Sequence, residues 1–187
     1  MTPAFGRNVP RLLLALLFAL AFARPALPLA AQGEYTCQGT AIVDDGLSSA
    51  AMGLTRGEID ALYGAGNATQ TGWLWEFQGF DLIQMNCDLI VNIDPASSFA
   101  DPAQAASLVR TLLPEDAESA GSWQFGALQS PPQDAELWIS TQLDNRLETL
   151  NEPYLGQVLA LYTYDGDAYN PGHVIRVELR VAPLPAE

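Results

Sequence analysis

Lysine is absent from this chain of 187 residues, and histidine occurs once, as His173. All 8 basic residues are therefore arginines, set against 22 acids, for a formal net charge of −14. A field of that sign repels nucleic acid and anionic lipid and favours cations or a basic protein partner. Dispersed over loops and outward strand faces, the same charge keeps an exported protein in solution. One histidine leaves one ordinary side chain for a proton shuttle near neutral pH. There is no Gly-x-Ser-x-Gly elbow to supply a nucleophile beside it, and no phosphate-cradling glycine loop. His173 reads instead as a strand-end residue. Cysteine is nearly absent too: Cys37 and Cys87 are the only two, with no Cys-x-x-Cys and no neighbouring histidine, which argues against a metal or redox pair. In an exported chain their expected state is one disulfide.

Export is read from the N-terminus. Arg7 and Arg11 precede the uncharged run Leu12–Ala23, which is too short to span a bilayer and is followed by Arg24, Pro25 and Pro28. Residues 1–31 are therefore read as a secretory signal peptide. Ala21-Phe-Ala23 and Leu29-Ala-Ala31 are both small-x-small cleavage sites, and the later one, which leaves Gln32 as the new terminus, is preferred. The competing reading keeps the segment as a membrane anchor. Cleavage would remove three arginines and no acid, leaving five arginines against 22 acids and a net charge near −17. After cleavage no membrane span is expected, and the product is placed outside the cell or in the periplasm.

The remainder is long enough for one domain, or two small subdomains over a common core, and its patterned apolar residues argue against disorder. Tyr35 to Val43 reads as a first strand and Asp44-Asp-Gly46 as a turn. Thr55 and Glu58 have the spacing of a capping box, which starts a helix at Thr55; Leu54 and Ile59 occupy hydrophobic-staple positions. Ile59, Leu62 and Tyr63 form one apolar stripe, and Gly64 and Gly66 stop the helix. Trp73, Trp75 and Phe77 then alternate with polar or smaller residues as in a strand, Gln78-Gly79 turns into a strand over 80–84, and Cys87, Leu89, Val91 and Ile93 line one face of a third. Asp94–Ser98 is a short linker.

A second helix starts at Asp101 as N-cap with Pro102 behind it, carries Ala105, Leu108, Val109 and Leu112 as its stripe, and stops at Pro114. Ser122–Ala127 and Glu136–Leu143 are expected strands, Asp144–Pro153 a loop or one helical turn, and Gln157–Tyr164 with His173–Val181 a final hairpin. In its last strand Ile175, Val177, Leu179 and Val181 point inward and Arg176, Glu178 and Arg180 outward. The expected fold is α+β, an antiparallel sheet with two helices on one face. Residues 32–94 and 95–187 each read as helix followed by antiparallel strands, a pseudo-repeat of architecture without a repeat of residues, sharing one core.

The opening Gly53-Leu-Thr-Arg-Gly-Glu-Ile-Asp-Ala-Leu-Tyr-Gly64, followed by aromatic strands, resembles the Gly-(Met/Leu)-Thr-x-x-Glu-(Val/Ile)-x-x-Leu-x-Gly start of small envelope domains. These are the SmpA/OmlA (BamE-like) outer-membrane assembly lipoproteins and the similarly folded β-lactamase inhibitor proteins, and the resemblance covers residues 50–93. It implies helices on an antiparallel sheet and a protein-binding role, with no catalytic residue. The chain lacks the lipidation cysteine of the lipoproteins and a second Gly-x-Thr-x-x-Glu opening.

Trp73, Trp75 and Trp138 are the candidate binding residues: aromatics on strands become contact sites where their face is open and core where helices cover it. Asp165 and Asp167, in the loop Asp165–Gly172, could offer oxygens to calcium, although Asp-Gly with Asn-Pro-Gly is also turn chemistry and the glutamate of an EF-hand loop is missing. Otherwise no cofactor is expected. Glu115, Asp116 and Glu118 beyond the second helix read as solvated, and Asn67-Ala-Thr69 matches a glycosylation sequon. The leading expectation is an exported, non-enzymatic module that binds a protein or an envelope component. The alternatives are an extracellular hydrolase with paired carboxylates and a calcium-stabilised structural domain.

Overall fold

In the computed structural model of the chain, which describes residues 36–40, 42, 47, 50–124, 131–167 and 170–184, the first helix starts where the Thr55/Glu58 pair places it. Helix α1 (Arg56–Tyr63) has Thr55 as an extended N-cap; its hydroxyl accepts the Glu58 amide at 3.4 Å, and the Glu58 carboxylate accepts the Thr55 amide at 2.7 Å. Gly64, at φ +89°, ends it, and its amide donates to the Asp60 carbonyl at 2.9 Å. Of the expected stripe only Ile59 is buried; Leu62 and Tyr63 are 50% and 41% exposed. The two-turn helix aims Glu58 and Ile59 inward, and Tyr63 instead sets its ring against Phe77 at 5.2 Å.

The strands are β1 (Asn67–Ala68), β2 (Trp73–Phe77), β3 (Phe80–Met85), β4 (Asp88–Ile93), β5 (Glu118–Gln124), β6 (Gln133–Ile139), β7 (Tyr154–Tyr164) and β8 (Val174–Pro183). They form one sheet in the order β1-β2-β3-β4-β8-β7-β6-β5, antiparallel at every pairing. Helix α2 (Pro102–Leu112) follows β4 and is capped by Asp101, whose carboxylate accepts the Ala103 and Gln104 amides, as the Asp-Pro pair predicts. With the α-helices the sheet makes an α+β fold. The expected signal segment 1–31 and the expected turn Asp44-Asp-Gly46 lie outside the described residues.

Four expectations are corrected. Thr36–Gln38 is a 3-10 turn rather than part of a strand: Cys37 is bonded to Cys87, and its amide donates to the Glu152 carboxylate at 3.2 Å, which holds this stretch away from a sheet ladder. The expected strand over 136–143 ends at Ile139, and helix α3 (Thr141–Thr149) replaces the expected loop, so the described α-helices number three. The apolar positions Leu143 and Leu147 fit a strand end and one helical face equally well, and capping decided for the helix. The strand expected from Ser122 begins at Glu118; residues 125–127 lie outside the described set. In β8 the register shifts between the pairs Thr163/Arg176 and Tyr164/Val174, so Ile175 is the extra residue and Val174 is buried in its place.

One buried cluster joins Ile59 of α1, Val109 and Leu112 of α2 and Leu143 and Leu147 of α3 to Trp75, Leu82, Leu89, Val91, Val158, Val177 and Leu179 of the sheet. Within it lies a charge. Arg146 is only 2% exposed, donates from Nε to the Gly53 carbonyl at 3.2 Å, and pairs with the Glu58 carboxylate that also completes the α1 capping box. Beside it Gln84 donates to the Leu54 carbonyl at 2.8 Å. Removing one member of such a pair strands a buried charge, so Arg146→Ala is expected to cost about 3–5 kcal/mol in urea unfolding at neutral pH. The Cys37–Cys87 disulfide closes a separation of 50 residues. On the chain-entropy account, its reduction is expected to lower stability by about 4 kcal/mol, read as a fall in the urea midpoint with and without reductant.

Candidate functional site

The three candidate tryptophans are distributed rather than convergent. Trp75 is core, 4% exposed, and its indole N–H lies 3.0 Å from the Gly64 carbonyl and 3.2 Å from the Asp60 carboxylate. It therefore secures the end of α1. Trp73 is half-buried, with the Arg56 guanidinium 3.9 Å above its ring, and Arg56 also pairs with Asp60. Trp138, on β6, is half-buried with Arg110 of α2 at 5.6 Å, and its indole N–H is buried without a hydrogen-bond partner among the described residues.

Asp165 and Asp167 sit at the β7–β8 tip and organise its turn. Asp165 accepts the His173 amide at 2.7 Å, and Asp167 accepts the Asn170 amide at 2.9 Å. The His173 ring lies 3.5 Å from the Asp165 carboxylate and is exposed. The ligand atoms of Asp165, Asp167 and His173 do not gather into one group among the described residues. The group that does is Cys37, Cys87 and Glu152, where both sulfurs are already spent on the disulfide.

Asp116 is not simply solvated, as its place beyond α2 suggested. Its carboxylate accepts the Ser140 hydroxyl at 2.5 Å and the Gln142 amide at 2.9 Å, while Ser140 accepts the Leu143 amide at 3.0 Å. Burial opposes the charge on Asp116, but the hydrogen bonds from Ser140, Gln142 and Thr141 outweigh it and hold the carboxyl below its ordinary range. On the same side of β6, Asp134 accepts the Tyr164 hydroxyl at 2.9 Å and Glu136 accepts the Ser119 hydroxyl at 2.8 Å. Burial, with Glu136 and Tyr164 beside it, raises Tyr162, whose hydroxyl is buried without a well-formed hydrogen bond among the described residues.

Register sorts the strand side chains into two sets. Trp75, Leu82, Val91 and Val177 follow one another across four strands and belong to the buried cluster. The alternate set runs Leu74, Ile83, Ile90, Glu178, Leu161 across five strands, and each of these side chains is partly buried. At its centre Glu178 pairs with Arg176 at 3.0 Å and with Arg180, so a charged ladder on β8 lies between two aliphatic fields. Near the β2–β3 turn a depression of about 330 Å³ is lined by Phe77, Phe80, Asp81, Asn92 and Asp94. It continues an aromatic series in which Phe77 stacks on Phe80 at 4.8 Å and Phe80 meets Phe99 at 5.3 Å.

Residue-by-residue reading singled out aromatics and missed this second sheet face. The available signal was that β3, β4 and β7 are apolar at both parities, at Ile83, Ile90, Leu159 and Leu161 as well as at the core positions. Compared with known proteins, the chain matches no protein-family model, no curated protein and no solved structure.

The Asp116 cap has a pH signature. A carboxyl lowered in the fold contributes stability that is full above its unfolded pKa, near 3.8, and is lost as pH falls through the lower folded value. Asp116→Asn is expected to cost about 1 kcal/mol at neutral pH, with the difference from the parent protein shrinking in urea melts taken below the ordinary carboxylate range.

Proposed function

We propose that the chain is an exported, non-enzymatic module that binds another protein, or a protein component of the envelope, through the outward face of its sheet. The observation that carries the reading is the row Leu74, Ile83, Ile90, Glu178, Leu161, partly buried side chains that make an apolar field crossed by one charged ladder. Contiguous apolar surface rimmed by polar groups is what protein contacts bury. On this reading all the α-helices lie against the opposite face, supported by the single buried cluster that unites them with Trp75, Leu82, Val91 and Val177. A pseudo-repeat is supported by the sheet order, in which two four-strand sets, β1–β4 and β5–β8, meet through their last strands. The buried disulfide suits an oxidising compartment. No helix among the described residues is long and apolar enough to cross a membrane.

The test is affinity capture from native secreted and envelope fractions with the parent protein and with Ile83→Asp/Ile90→Asp. A partner retained by the first and lost by the second, with unfolding midpoints of the two proteins close, is the expected result. A partner retained equally by both would place binding elsewhere.

A further inference from the structure

The strand at the end of the sheet offers a more specific reading of the partner, and it rests on the protein-binding proposal above. Among the described residues β5 is one edge of the sheet and is seven residues long; the other edge, β1, has two. An antiparallel ladder assigns each residue's backbone groups to one neighbour or the other in alternation. Just beyond β6 the Ser140 amide donates to the Gly156 carbonyl at 2.8 Å, and the Tyr164 amide donates to the Pro132 carbonyl at 3.1 Å at its other end. Residues 134, 136 and 138 therefore bond to β7, and 135 and 137 turn to β5. Ala135 and Leu137 face Trp123 and Gly121, so the backbone groups of Ser122 and Gln124 point away from the sheet.

The side chains beside that edge carry a chemical preference. Ser122 lies opposite Glu136 and Gln124 opposite Asp134. Both Ser122 and Gln124 are exposed. The two carboxylates stand about 10 Å from a strand added beyond β5, two strand spacings away, and the small Ser122 lets a long cationic side chain pass. On the other face an added strand meets Gly121 and Trp123, which are less exposed, in front of buried Ala135 and Leu137. The edge has neither lysine nor proline, the residues that commonly block further pairing, and its bulge between Ser119 and Gly121 leaves Gly121–Gln124 as the regular stretch open to a new strand.

We propose that β5 accepts an extended segment of a partner protein as an additional antiparallel strand, whose alternate basic side chains reach Glu136 and Asp134 while its apolar ones lie beside Trp123. Main-chain pairing supplies the attachment, and the carboxylates, within a strongly acidic protein, select the charge.

Fluorescence anisotropy with labelled synthetic peptides decides it. The probe TRVRVRT is expected to bind the purified protein, and the acidic counterpart TEVEVET is not. Methylating the arginine amides, which pair with the edge, should abolish binding, whereas methylating the valine amides should leave it intact. Asp134→Asn/Glu136→Gln should weaken the basic probe about tenfold and flatten its salt dependence. Absence of binding, indifference to the site of methylation, or an unchanged affinity in the double variant would each overturn the proposal. Sedimentation showing a dimer dispersed by Ser122→Pro would overturn it in favour of a second copy of the chain at this edge. If the peptides fail while capture still depends on Ile83 and Ile90, strand addition falls and the sheet-face reading stands.

Discussion

A buried guanidinium ties helix α3 to the start of helix α1. Arg146 comes from α3, and its partners, the Gly53 carbonyl and the Glu58 carboxylate, lie on either side of the α1 N-cap. Glu58 thus serves three donors at once, the Thr55 amide and hydroxyl at the start of its own helix and an arginine 88 residues away. Burying a charge is costly unless its hydrogen-bonding capacity is met, so these groups hold one arrangement between them. The geometry reaches into the backbone. Gly53 has φ +86°, and a Cβ there would sit 2.6 Å from the Leu143 side chain. The close approach of α3 to the loop before α1 therefore requires glycine for two separate reasons.

A second tether works on the other side of α1. The disulfide fixes Cys37 to Cys87, the Glu152 carboxylate accepts the Cys37 amide, and the Gly39 carbonyl accepts the Gly57 amide at 3.1 Å. A Cβ on Gly57 would meet the Thr40 carbonyl oxygen at 2.2 Å, so the N-terminal segment lies directly on the helix backbone. Two residues of the C-terminal half, Arg146 and Glu152, thereby bond to two stretches of the N-terminal half, Gly53–Glu58 and Cys37.

The distribution of arginine follows from the same economy of positive charge. Arg146 is buried, Arg56 spans Trp73 and Asp60, Arg110 donates to the carbonyls of Pro114 and Glu115, and Arg176 and Arg180 flank Glu178. With the cations of the described chain engaged in its own structure, the surface left over is dominated by acids. Among the described strands, positive charge gathers at the β8 ladder, where Arg176 and Arg180 flank Glu178.

Much of the local structure was legible in the order of residues because its causes lie within a few positions. The Thr55–Glu58 box, the Gly64 stop, the Asp101-Pro102 start and the Trp73–Phe77 alternation all act over four residues or fewer, and each appears where the spacing placed it. The disulfide was legible by elimination, since two cysteines allow one pair. Helix α3 was not, because the carboxylate that reinforces its start belongs to Asp116, 24 residues earlier, and reaches Ser140 only after β5 and β6 have paired. The inward set of β8 was misjudged at Ile175 for a related reason: a bulge is a property of two strands, and one strand's periodicity does not contain it. Which tryptophan is core and which is partly open, that Arg146 is buried, and that the second face of the sheet carries an apolar row were decided by tertiary structure. Each depends on which chain segments lie side by side, and that is settled by long-range packing rather than by neighbours in sequence.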